Sequence, residues 1–100
     1  MLIAFSIAPS GGGSDSVGDV VADAVRVVRA SGLPNETTSM FTTIEAASWD
    51  EGMAVVKQAV EAVQARAPRV SLVLKADIRP GYTGQLAAKV ERVEQALEQG

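Results

Sequence analysis

Residues 35–51 read Asn35-Glu36-Thr37-Thr38-Ser39-Met40-Phe41-Thr42-Thr43-Ile44-Glu45-Ala46-Ala47-Ser48-Trp49-Asp50-Glu51. Threonine and the apolar residues Met40, Phe41 and Ile44 dominate residues 35–47, and such residues favour extended backbone. The stretch is too long for one short strand, so two strands are expected, with the bend near Ser39 to Phe41. Ser48 and Glu51 then form a capping box: the Ser48 hydroxyl accepts from the Glu51 amide while the Glu51 carboxylate reaches back. A strand pair therefore hands the chain directly to a helix.

Upstream, Gly32 and Pro34 stop an earlier helix. Its apolar stripe is Val17, Val20, Val21, Ala24, Val25 and Val28 at helical spacing. Ser14, Asp15 or Ser16 supplies the cap. Before it, Pro9 and Gly11-Gly12-Gly13 end a first strand over residues 2–8, with Ile3, Phe5 and Ile7 alternating. Downstream, the second helix runs to about Arg66 with Met53, Val56, Ala59, Val60 and Val63 on its apolar side, and Pro68 closes it. Residues 69–78 alternate as a last strand: Val70, Leu72, Leu74 and Ala76 face one way, and Ser71, Val73, Lys75 and Asp77 the other. Arg79-Pro80-Gly81-Tyr82 is a turn. A third helix over about 84–98 carries Leu86, Val90, Val93 and Leu97 on one side.

The order strand-helix-strand-strand-helix-strand is the split βαβ motif. The fold class expected is α+β: a ferredoxin-like βαββαβ sandwich with an additional C-terminal helix, its antiparallel sheet carrying helices on one face. Residues 1–100 form a single domain. The other sheet face is left for the third helix, a second subunit, a ligand, or a combination.

Composition narrows the function. The 100 residues are 47% hydrophobic and 21% charged, a globular mixture. There is no Cys and no His, so disulfides, thiolate chemistry and the commonest general base and metal ligand are excluded. No metal site and no cofactor are expected. A net charge of -3 argues against broad attraction to nucleic acid or anionic membrane. No stretch is long and apolar enough to span a bilayer, and Met1 to Ala8 lack the cationic start of a signal peptide. A cytoplasmic location is expected.

The run Thr38-Ser39-Met40-Phe41-Thr42-Thr43-Ile44-Glu45, followed by Ser48-Trp49-Asp50-Glu51, resembles the central signature of the thiamine-binding-like family, also described as DUF77 or UPF0045. Arg69-Val70-Ser71 and Lys75-Ala76-Asp77-Ile78-Arg79 resemble its last strand, and Lys89-Val90-Glu91 its final helix. Where the family usually has Pro-Met-Gly-Thr, this chain has Ser39-Met40-Phe41-Thr42, and the Gly after the Glu is Ala46. A Phe at the Gly position adds bulk and removes backbone freedom. The resemblance implies a ferredoxin-like fold, homodimers or homotetramers, no established enzymatic activity, and binding of thiamine or its hydroxymethylpyrimidine moiety in some members.

The candidate ligand-binding residues are Ser10, Thr38, Phe41, Thr42, Thr43, Glu45, Trp49 and Asp77. The strand threonines offer hydroxyls to an aminopyrimidine, although Thr is also simply a good strand residue. Glu45 can accept from an exocyclic amine. Trp49 can stack on a ring or pack against the domain edge. Lys75, Asp77 and Arg79 offer contacts to an anionic group or a neighbouring subunit. Gly11-Gly12-Gly13-Ser14 offers amides to an anion, but lacks the Lys of a P-loop and reads equally as a connector. No catalytic residue stands out, since no nucleophile-base pair is present. The function expected is binding of a small, thiamine-like heterocycle without turnover. The alternative is a regulatory or structural oligomer acting through protein-protein contacts.

Overall fold

In the computed structural model the described residues are 1–11 and 17–99. The elements are β1 (Leu2–Ser10), α1 (Val17–Ala30), β2 (Asn35–Thr37), β3 (Thr42–Glu45), α2 (Trp49–Gln64), β4 (Arg69–Asp77) and α3 (Gln85–Gln99). The sheet order is β2-β3-β1-β4, and every pairing is antiparallel. The cap residues expected for α1 and most of the glycine loop lie outside the described residues.

Register divides the sheet into two faces, because residues directly opposite one another share a side. Ile3 pairs with both Ile44 and Ala76, and Phe5 with both Thr42 and Leu74. These residues face α1 and α2. Leu2 pairs with Glu45 and Asp77, and Ala4 with Thr43 and Lys75, on the opposite face. The alternation expected for β4 is thus realised along the whole strand.

One core fills the space between helices and sheet. Ile3 and Ile44 from the sheet meet Val20 and Val28 of α1 and Val56 and Val63 of α2, all buried. Gly32, with φ +78°, ends α1 in the left-handed region that glycine adopts without penalty. At the start of α2 the Glu51 amide donates to Ser48 Oγ at 3.2 Å, and Glu51 Oε1 accepts from the Ala47 amide at 3.0 Å. The reach-back lands one residue earlier than the usual box. Val17 and Met53, expected on the apolar stripes, are exposed. Arg66, just beyond α2, donates to Asp23 of α1 at 2.8 Å and ties the two helices together.

α3 lies on the face away from α1 and α2. Its first turn is held by Glu45, whose Oε1 accepts from the Leu86 amide at 3.0 Å, and Lys89 pairs with Asp77. None of its described residues is buried.

Candidate functional site

Thr38 builds the turn between β2 and β3. Its amide donates to the Phe41 carbonyl at 2.9 Å, and its hydroxyl donates to the same carbonyl at 3.1 Å. The same hydroxyl accepts from the Phe41 amide at 3.2 Å and the Met40 amide at 3.4 Å. Such local bonding is what Thr does well at turns. No residue other than glycine has a positive φ among those described, so Phe41 sits in the turn without backbone strain.

The turn leans toward α1 and encloses a pocket of about 170 Å³. Ile7, Val21, Ala24, Val25 and Val28 give it an aliphatic floor, while Thr37, Ser39 and Thr42 add polar groups to its walls. Ser6 also lines it, although in the β1 register its side chain falls on the opposite sheet face with Ala4. Phe41 lines it and is half-buried, and Met40 stands exposed at the mouth. An apolar floor with a few convergent polar groups is the usual character of a small-molecule site.

The other candidate residues lie elsewhere. Thr43 and Asp77 share a shallow depression of about 450 Å³ on the opposite sheet face, with Lys75 and Lys89. The hydrogen bond from Lys89, reinforced by its charge, holds the Asp77 carboxyl below its ordinary value. Glu45 and Trp49 line a third cavity, of about 570 Å³, at the edge of the sheet. Desolvation pushes the Glu45 carboxyl up. The amides of Leu86, Gln85 and Gly84 outweigh that and leave it below its ordinary value. Glu45 is therefore committed to the N-terminus of α3. Ser10 stands apart at the far end of β1, beside a recess of about 80 Å³ lined by Arg66 and Val17. Thr38, Phe41 and Thr42 are thus the candidates that one pocket brings together.

Ser6, Thr37, Ser39 and the α1 valines of the pocket were not singled out as site residues by sequence. Ser6 lies within an apolar run, and Val21 and Val25 belong to a stripe that reads as core. Only the approach of the turn to α1 joins them. Among the described residues no group of three or more His, Cys, Asp or Glu side chains is placed to hold a metal ion. No helix among them is long and apolar enough to cross a membrane.

The family model described as thiamine-binding protein matches residues 3–94. The UPF0045 protein Mb1933 of Mycobacterium bovis is 58% identical over 97 residues, covering 97% of this chain and 94% of that one. The structure of a domain of unknown function, DUF77, from Bacillus cereus superimposes with a TM-score of 0.80 at 33% identity, over 89% of this chain and 85% of the other. Protein MJ1052 of Methanocaldococcus jannascii superimposes with a TM-score of 0.80 at 30% identity, over 93% and 94% of the two chains.

Proposed function

The chain belongs to the thiamine-binding protein family, and we propose on that footing that it holds the pyrimidine end of thiamine, or free hydroxymethylpyrimidine, in the pocket between α1 and the β2–β3 turn. The observation that carries this reading is the match of size and chemistry. A cavity of about 150 Å³ accommodates one benzene ring, so about 170 Å³ suits a single substituted six-membered ring. The aliphatic floor takes the ring faces. The hydroxyls of Thr37 and Thr42, which share the face of Phe5, take its nitrogen and amino groups. Thr38 keeps the turn in place and does not reach for the ligand. The thiazolium end of thiamine stays outside.

The mode is reversible capture. The family is described by binding and not by a reaction, and the chain has neither His nor Cys to supply a nucleophile-base pair. Titration calorimetry with hydroxymethylpyrimidine and with thiamine tests this. Saturable binding of both is expected, with affinities within a few-fold of one another. Thr42→Val is expected to weaken both by about fivefold or more, as loss of one hydrogen bond would, and the recovered ligand keeps its mass. Absence of heat with either compound in folded protein would sink the proposal.

A second reading, self-association, rests on α3. Val90, Val93 and Leu97 are 55%, 59% and 73% exposed, and these residues share one side of the helix. A strip of this kind marks a contact surface. The oligomers expected from sequence, homodimer or homotetramer, are consistent with it.

A further inference from the structure

A second, larger cleft lies away from the pyrimidine pocket and shares no lining residue with it. Its volume is about 570 Å³, within the usual range for small-ligand sites. Its walls are Leu33, Pro34, Ala46, Trp49, Ile78 and Tyr82. Trp49, Ile78 and Tyr82 are each about half exposed, so three large apolar side chains converge on one opening. Grouped exposure of this kind marks a binding surface, whereas single exposed apolar residues do not.

The turn Arg79-Pro80-Gly81-Tyr82 furnishes one wall. Proline in its second position and a glycine of φ +83° in its third are the signature of a type II turn, and the Tyr82 amide closes it on the Arg79 carbonyl at 3.2 Å. That geometry brings the first and last side chains together. The Arg79 guanidinium lies 3.6 Å from the centroid of the Tyr82 ring. Stacking holds the cation in one orientation, and its N–H fork then meets a planar oxyanion with little ordering cost.

The carboxylates of the cleft are otherwise engaged. Glu45 accepts from the Leu86 amide at the start of α3, and Glu51 accepts from the Ala47 amide in the first turn of α2. Helix N-termini offset negative charge of this kind. Asp77, the acid nearest to Arg79 in sequence, is hydrogen-bonded to Lys89 and interacts with Arg79 only through its charge. Arg79 forms no ion pair among the described residues. A flat aromatic surface beside one pre-oriented guanidinium has a definite complement.

We propose that this cleft binds a small planar aromatic anion, a ring carrying a carboxylate or a phosphate monoester, with the ring against Trp49 and Ile78 and the oxyanion on Arg79. The site does not depend on the pyrimidine pocket.

Phenyl phosphate is the probe, titrated into ¹⁵N-labelled protein and followed by NMR, with phenol, inorganic phosphate and phenyltrimethylammonium in parallel. Saturable shifts are expected at the Trp49 indole and the amides of Ala47, Ile78 and Tyr82, with Phe41 and Thr42 unmoved. Phenol and inorganic phosphate are expected to bind about tenfold more weakly or worse. Arg79→Met is expected to reduce phenyl phosphate affinity by about tenfold or more, the effect of removing a charge-assisted bond. Tyr82→Leu, which keeps the charge and removes its platform, is expected to weaken binding in the same direction, and it serves if the first variant does not fold. Phenol or phenyltrimethylammonium binding as tightly as phenyl phosphate would overturn the proposal. So would full affinity in folded Arg79→Met, or shifts confined to Lys75 and Lys89. These outcomes leave the pyrimidine pocket untouched, because none of the perturbed residues lines it.

Discussion

At Gly52 the α2 backbone approaches β1 so closely that a Cβ would lie 2.4 Å from Ile3 Cδ1 and 3.1 Å from Ala46 Cβ. Ile3 is fully buried and has little room to move. Helix propensity alone predicts that Gly52→Ala gains about 1 kcal/mol. Overpacking costs about 1–3 kcal/mol, so a net loss of about 1 kcal/mol is expected, seen as a Tm lowered by about 4–8 °C. A raised Tm would mean that the helix moves off the sheet freely. Asp23 gives a second residue-scale test. The hydrogen bond from Arg66, with smaller help from its charge and from Arg26, holds this carboxyl below its ordinary value of 3.8. Its folded value is the lower one, so its contribution is complete above the unfolded value and is lost as pH falls through the folded value. Glu45 and Asp77 are shifted the same way. Urea midpoints are therefore expected to be flat near neutrality and to drop below about pH 4. Asp23→Asn should soften that drop, and an unchanged acid limb would show that the Asp23–Arg66 pair contributes nothing to it.

Among the elements, α3 has no buried residue among those described and is held to the sheet by two polar ties, Glu45 at its first turn and the Lys89–Asp77 pair. Glu45 and Leu86 are 41 residues apart and joined by one hydrogen bond. Glu45→Ala removes the acceptor at the helix start, a change that typically costs about 1 kcal/mol. Faster amide exchange is expected at Leu86 to Lys89, with protection of α1 and α2 retained; unchanged exchange in α3 would show that other contacts hold it. This role was not legible in the sequence, where Glu45 reads as a carboxylate within a strand and a ligand contact. The strand pair, the Ser48 cap, the Gly32 stop and the two-faced β4 were legible, because each is written in residues a few positions apart. The stripes of α1 and α2 gave the right faces but not their limits. Val17 and Met53 keep helical phase yet are exposed, and only tertiary structure shows how far the packed face extends. Gly52 carried no signal, since a missing side chain has no hydropathy to reveal a close approach.

The whole molecule is longer than its chain length requires. A compact domain of 100 residues has a radius of gyration near 13 Å, whereas the observed value is 15.2 Å, with extents of 52 × 30 × 20 Å. Together with the exposed Val90, Val93 and Leu97, this shape leads to an expected solution mass of two or more times the 10.4 kDa chain by light scattering. Val93→Glu is expected to shift the protein toward single chains. A mass of one chain at every concentration would refute self-association. Thr38, Phe41 and Thr42 of the pocket were legible because they are neighbours in sequence. Ser6, Val21 and Val25 were not, because β1 and α1 meet the turn only in the folded chain. Whether that meeting place is the ligand site is tested most directly by adding hydroxymethylpyrimidine to ¹⁵N-labelled protein and mapping the amide shifts. Saturating shifts centred on Ser6, Val25, Thr37, Phe41 and Thr42 are expected. Shifts centred on Thr43, Glu45 and Asp77, or none at saturating ligand, would contradict the pocket assignment.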